Sequence, residues 1–358
     1  MMLFLILSTL LFLQSSADGS IKTAERYWTL KPNVLVVNVD SSEDVNMVPL
    51  TCGEAYEGKN ITWTRNDENL KDQGNRVDDT VEAWKGGNYS CFNSEGSYLN
   101  HTLVLAQWTF RKFIENTPGK GYIDCTTNNY GGSFKCNWTW AGNRNGHVVH
   151  FKASRIQGGS NISCSLDDGG ASITCLDHDY CPYAEEVVRI NLTVYFRSSF
   201  VVEAYNTKFY IMDIVRPDMV PINRINKTSV EVRYPNSWNT PSSYFPLMFQ
   251  VVRCRKREKC DCSKPNFQEI LFTQSHQLPV TKGMCVCVRA RDEFCNSSWS
   301  DWSQYKCKTT KNSRKRNREL KITHKTARDT NFCHMWSKAT CYSPHFSKAQ
   351  TSNQKGTT

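Results

Sequence analysis

Hydrophobic and polar positions in this chain alternate in short runs, with no sustained helical rhythm. Between residues 20 and 308 no apolar 3.6-residue period holds over four turns. The apolar or alternating runs are brief: Val34–Val39, Val201–Tyr205, Val230–Tyr234 and Val286–Ala290. Turn-forming clusters such as Gly86-Gly87-Asn88 and Gly131-Gly132 separate them. Many short strands at this spacing predict an all-β chain of packed sandwiches. The amino end breaks the pattern. Leu3–Leu13 is almost uninterrupted Leu, Ile and Phe, followed by the small residues Ser15-Ser16-Ala17. That run is too short to span a bilayer and predicts a cleaved signal peptide over residues 1–19, although no Lys or Arg precedes it. No later segment approaches the roughly 18 apolar residues of a membrane span. Ser347–Thr358 is polar, unlike a lipid-anchor signal. The expectation is a secreted, extracellular protein.

Cysteine and tryptophan spacing divides the β region into three. Over residues 20–112, Cys52, Trp63 and Cys91 have the spacing of an immunoglobulin-like sandwich, where a disulfide joins two sheets and a tryptophan packs on it. Tyr89 lies two residues before Cys91, so both face one side of a strand, as a tyrosine corner needs. Over residues 113–215, Cys125 and Cys136 are eleven residues apart, as are Cys164 and Cys175. Each predicted disulfide closes a short loop, worth about 3 kcal/mol in the chain-entropy model. Cys136 and Trp138 point inward from an extended strand while Asn137 points out. A third unit, residues 216–308, is entered through Pro217 and Pro221. The second and third units resemble fibronectin type III sandwiches. Residues 309–358 are rich in Ser, Thr, Asn and Lys and read as a basic, disordered tail. Cys333, Trp336 and Cys341 leave room in it for a small disulfide-pinned knot.

Composition narrows the function. Sixteen cysteines in 358 residues call for disulfides or several metal sites. The formal charge of +10 sits in the tail, where 11 Lys or Arg face only Glu319 and Asp329. The body keeps 33 basic and 32 acidic side chains, so the basic-patch argument applies to the tail and says nothing about the body's function; no nucleic-acid partner is expected. No His-Glu-x-x-His or Gly-x-Ser-x-Gly string occurs. Cys260/Cys262 and Cys285/Cys287 skip one residue, closer than common structural zinc loops. The expectation is a non-enzyme without cofactor or metal.

Trp299-Ser300-Asp301-Trp302-Ser303 resembles the Trp-Ser-x-Trp-Ser box of haematopoietin receptors. In such a box, tryptophan rings interleave with guanidinium groups from neighbouring strands. Arg289 and Arg291 alternate out of one strand, and Arg253 and Arg255 out of another, with the two-residue period of a ladder. With the three units in this order, the chain resembles the interleukin-12 subunit beta family over about residues 27–307. Local strings carry that resemblance: Ile61-Thr62-Trp63-Thr64, Asp213-Ile214-Val215-Arg216-Pro217-Asp218 and Ser297-Ser298-Trp299-Ser300-Asp301-Trp302. Others are Tyr234-Pro235-Asn236-Ser237-Trp238, Ser243-Tyr244-Phe245 and Val288-Arg289-Ala290-Arg291-Asp292. Extra cysteines in the third unit and the basic tail depart from the family pattern and suggest a divergent paralogue.

The resemblance implies a secreted subunit that binds a four-helix cytokine alpha subunit and presents it to cell-surface cytokine receptors. The first unit then contributes to receptor engagement. The resemblance also implies an interchain disulfide at Cys181, the cysteine left over after pairing 52/91, 125/136 and 164/175. A bond from Cys181 to a later cysteine is the alternative. A partner pocket at the bend between the second and third units carries over to Glu185, Tyr244 and Asp292. There Asp292 would receive a bidentate arginine, with Tyr244 and Phe245 as aromatic area around it. Arg253, Arg255, Lys256, Arg257 and Lys259 match a loop implicated in heparan sulfate binding, although the arginines are shared with the ladder. Nine further cysteines leave at least one without an intrachain partner. Cys307 is expected to bond Cys285 or Cys287, and Cys295 is a second candidate intermolecular thiol. The rival reading is a soluble receptor or decoy acting alone or as a homodimer; an unpaired Cys181 and the acidic-aromatic pocket favour the heterodimer.

Glycosylation sequons stand at Asn60, Asn88, Asn100, Asn137, Asn161, Asn191, Asn226 and Asn296. A sugar must sit on the solvent face. Asn137 alternates against Cys136 and Trp138, and Asn191 against Leu192 and Val194, in agreement with the inward assignments. Asn296 lies in a loop that is expected to be tight.

Overall fold

The computed structural model describes residues 26–39, 46–81, 85–108, 111–142, 146–156, 162–180, 188–239, 245–255, 262, 270–293, 295 and 297–305. Among them the fold is all β, interrupted by three helical turns of three or four residues. No helix of the described residues is long and apolar enough to cross a membrane. They fall into two compact units. The first takes the described residues within 1–113, 142–150 and 195–204; the second takes those within 114–141, 151–194 and 205–305.

In the first unit, Asn46–Thr51 pairs with Arg76–Val81. A separate sheet holds Thr62–Arg65, Glu68–Gln73, Gly87–Phe92 and Tyr98–Gln107, all paired antiparallel. Cys52, one residue past the first strand, bonds Cys91 and so ties the two sheets together. The period-two pattern is visible in Gly87–Phe92, where Gly87, Tyr89 and Cys91 are buried and Asn88 is exposed. Trp63 packs among Val37, Val48, Leu50, Ile61 and Val104, and its indole N–H donates to the Gly74 carbonyl at 2.9 Å.

Tyr89 departs from the expected corner. Its hydroxyl donates to the Asp79 carboxylate at 2.6 Å, not to the backbone. Asp79 is itself held by Arg65 at 3.2 Å, and an ionised acceptor outcompetes a neutral carbonyl. Burial, followed by this hydrogen bond, pushes the Tyr89 phenol far above its ordinary range.

A second apolar cluster in this unit comprises Leu30, Val34, Val36, Leu105 and Val202, with Trp28, Leu103, Val149 and Tyr195 packed on it. Val34–Asn38 runs parallel to Tyr98–Gln107, and so does the start of Val201–Phe209. The buried Glu203 carboxylate accepts from the Lys112 and Phe113 amides at 2.9 and 2.8 Å. It thereby satisfies two backbone donors that burial would otherwise make costly. Residues from 142–150 and 195–204 complete this unit.

In the second unit, Ile162–Leu166, Ser172–Asp177, Ser133–Asn137 and Asp124–Thr126 pair in that order. Cys125 lies directly opposite Cys136, and Cys164 opposite Cys175; both pairs are bonded. Phe134 and Cys136 are buried while Asn137 is exposed. Ile190 and Leu192 are buried with Asn191 between them. Further along the chain, Leu247–Arg255 pairs with Met284–Asp292 over nine residues, flanked by Ile270–Thr273 and Ser303–Tyr305. Phe249, Val251, Val286, Val288 and Ala290 fill the inner face of that sheet.

Candidate partner-binding elbow

The elbow lies within the second unit, where the turn after Asp124–Thr126 meets the end of Met284–Asp292. Asn129-Tyr130-Gly131-Gly132 shapes the turn. The Asn129 side-chain carbonyl accepts from the Gly131 amide at 2.7 Å. Gly132 has φ +81°, and a Cβ there would meet the Asp177 carbonyl and the Tyr180 ring at 2.7 Å, so only glycine fits. The turn drives Tyr130 inward. Its ring centroid lies 4.9 Å from Phe245 and 6.0 Å from Trp238. Trp238 donates from its indole to the Phe245 carbonyl at 2.9 Å, and Asn129 Nδ2 donates to the Ser237 carbonyl at 2.6 Å.

Asp292 ends the long strand beneath these rings. Its Oδ2 accepts from the Tyr130 hydroxyl at 3.0 Å and its Oδ1 from the Cys295 amide at 2.9 Å. Its own amide donates to Ser297 Oγ at 2.9 Å. Burial first, and then the Asp292 charge, push the Tyr130 phenol well above its ordinary range; Cys295 adds to the shift. The expectation of an open anchor for an arginine needs correction. Asp292 is 0 % exposed and Phe245 8 %, and the Tyr130 hydroxyl already bonds the Asp292 carboxylate. Tyr130 and Trp238 are the residues that the sequence reading missed. The signal that could have found Tyr130 is an aromatic residue set in an Asn-x-Gly-Gly turn.

The tryptophan box docks beside the elbow. Ser300 stands in for a strand residue, its amide donating to the Ala290 carbonyl at 2.7 Å while its Oγ accepts from the Ala290 amide at 2.9 Å. Arg216 ties the approach segment to the box, donating to the Trp299 carbonyl at 3.1 Å and pairing with Asp301. The Arg289 guanidinium lies 4.8 Å from the Trp299 ring and 4.5 Å from Trp302, with Arg291 at 4.6 Å from Trp299.

The ladder's second strand differs from expectation. Arg253 faces Val286 across the strand pair, whereas Gln250 faces Arg289. Directly opposed residues share a face and neighbours along a strand alternate, so Arg253 lies on the side away from Arg289 and Arg291. Gln250 takes the rung, accepting from Arg289 Nε at 2.6 Å. Arg255 is opposite Met284 in the backbone register.

Glu185, Tyr244, Cys181, Lys256, Arg257, Lys259, Asn161, Asn296, Cys307, the signal segment and the tail lie outside the described residues. Cys287 bonds Cys262, which removes the Cys287–Cys307 option. Cys285 is also disulfide-bonded, and Cys295 keeps its thiol. Among the sequons, Asn60, Asn88, Asn137 and Asn226 are exposed. Asn100 is half-buried; its Nδ2 donates to the Cys52 carbonyl at 2.9 Å, and its Oδ1 accepts from Asn33 at 3.1 Å.

The family description "Cytokine interleukin-12p40 C-terminus" matches residues 120–198. The interleukin-12 subunit beta of Mesocricetus auratus is 30% identical over 312 residues, covering 78% of this chain and 93% of its own length. That of Lama glama is 30% identical over 320 residues, and that of Homo sapiens over 318, with the same coverage. The chain belongs to the interleukin-12 subunit beta family. Within that family it is a divergent paralogue, a cytokine-subunit protein and not an enzyme.

Proposed function

We propose that this member of the interleukin-12 subunit beta family is a secreted subunit that captures a four-helix alpha subunit at the elbow. In this reading Cys181 bonds the partner, Glu185 and Tyr244 border the contact, and the assembled pair engages cell-surface cytokine receptors. The basic stretch Arg253–Lys259 would add affinity for sulfated glycans such as heparan sulfate.

The observation that carries the reading is the match, over 78% of this chain, to relatives named interleukin-12 subunit beta. Asp292 lies beneath Tyr130, Phe245 and Trp238 in a chain whose relatives are named as beta subunits.

Co-expression with candidate helical subunits, followed by non-reducing electrophoresis of the medium, tests it. The expected result is a secreted complex that dissociates on reduction, with Cys181→Ser secreted normally but lacking the covalent band. An unchanged covalent complex in that variant overturns the role of Cys181. Absence of any complex with every helical subunit overturns the capture reading.

A further inference from the structure

One exposed row of the second unit leads to a glycosylation sequon. Ser133, Lys135 and Asn137 alternate with the buried Phe134 and Cys136, so all three leave the outer face of their strand. Successive members of the row lie roughly 6.8 Å apart. Directly opposed residues on neighbouring strands share a face. Thr126 and Thr174 are opposite Lys135, and Asp124 is opposite Asn137. A cavity of about 700 Å³ is lined by Thr126, Ser133, Lys135, Thr174, Arg216 and Met219, among others. A second, of about 920 Å³, takes in Asp124 and shares Thr126 and Arg216 with the first. Asn137 is thus next along the strand from the Lys135 of one cavity and directly across from the Asp124 of the other.

The first cavity suits a neutral, hydroxyl-rich ligand. Lys135 is paired with Asp167 at 2.6 Å and Arg216 with Asp301, so its two cations are already matched by carboxylates. Thr126, Ser133 and Thr174 bring hydroxyls to it. Met219 is 53 % exposed and offers an apolar shelf to the C–H face of a sugar ring. The Arg216 amide donates to the Thr127 carbonyl at 2.7 Å, which lays the segment carrying Met219 beside Asp124–Thr126. We propose that the core of an N-linked glycan on Asn137, in the sequon Asn137-Trp138-Thr139, folds back onto this face and occupies the groove. Its N-acetylglucosamine rings are neutral and bear hydroxyls on their rims, in keeping with the lining. The attachment point is exposed, so the ligand needs no path of entry. A short tether supplies an effective concentration on the order of millimolar, at which weak contacts suffice. The inference rests on the secretion that the proposed function includes and is independent of alpha-subunit capture.

The test compares the full secreted chain with Thr139→Ala, which removes the acceptor signal and keeps Asn137. Glycopeptide mapping at each sequon is followed by amide hydrogen exchange. The expected result is a glycan on Asn137 in the wild-type chain and, in the variant, about a tenfold loss of protection over peptides spanning 124–128 and 214–219. Peptides spanning Leu247–Arg255 should keep theirs, which shows that the variant folds. In Met219→Ala the sequon is intact, and an amidase that releases N-glycans should strip Asn137 of the native chain about three times faster or more. Release at Asn88 should not change. Equal exchange over 214–219 with and without the sugar, or equal release in Met219→Ala, overturns the proposal. A bare Asn137 beside modified Asn60, Asn88 and Asn226 overturns it alone, whereas sugars at none of these overturn secretion as well.

Discussion

Replacing Asp292 with alanine tests whether the elbow carboxylate pins the free chain together. The substitution leaves the Tyr130 hydroxyl and the Cys295 amide, both bonded to Asp292, without that acceptor. Each such loss costs about 1–3 kcal/mol. Removing a buried charge relieves part of its desolvation, so the expected net loss is about 2–4 kcal/mol. A chain of several modules does not unfold in two states, which makes a global denaturation curve a poor measure. Amide hydrogen exchange over the peptides spanning residues 284–297 reads the loss locally. At about 1.4 kcal/mol per tenfold, protection should fall about 30- to 700-fold. Tyr130→Phe removes one bond to a charged acceptor and should cost about 1–2 kcal/mol. The double variant should lose less than the sum, because the deleted groups are each other's partners. If exchange in Asp292→Ala stays within about threefold of wild type, the reasoning from burial is wrong.

Arg289→Lys gives up a planar cation stacked on Trp299 and Trp302 and its bond to Gln250, and should lower the local stability of the Met284–Asp292 strand by about 1–2 kcal/mol. Amide hydrogen exchange over the peptides spanning residues 284–305 would show it; unaltered protection would contradict the ladder. Glycopeptide mapping should find Asn100 bare and the exposed Asn60, Asn88, Asn137 and Asn226 modified, since a sugar on Asn100 Nδ2 would disrupt its bond to Cys52. Alkali should destabilise the fold. Burial holds the Tyr89 and Tyr130 phenols above the ordinary 10.0, so unfolded tyrosine gives up its proton first. Their contribution is complete below about pH 10 and fades as pH climbs toward the folded values. Tyr130→Phe should flatten the alkaline limb of stability against pH, and an identical limb would argue against a buried phenol.

Period-two alternation is legible in the sequence because it is a property of one strand. It marks Cys136 and Phe134 as inward and Asn137 as outward without reference to a neighbour. Parity between strands is a different matter. Arg253 and Arg289 each satisfy the spacing of a ladder, but which pair shares a face depends on register, and Gln250 proves to be opposite Arg289. The elbow exposes the same limit at longer range. Asp292 reads as an accessible acid until Tyr130, 162 residues earlier, is placed over it. Cysteine pairing falls between these cases: neighbouring strands bring Cys125 to Cys136, whereas the Cys262–Cys287 bond joins residues 25 apart that no local pattern pairs.

The seam at Glu203 bears on how such a chain can be taken apart or recombined. Val202, Val149 and Tyr195 complete an apolar cluster whose other members come from Leu30, Val34, Val36 and Leu105. A gene fragment ending at residue 112 would carry the amino-terminal sandwich away from its own lining and from the carboxylate that caps its exit. Shuffling this module as an independent cassette would expose a sticky hydrocarbon face, so its inheritance is bound to that of the segment that follows.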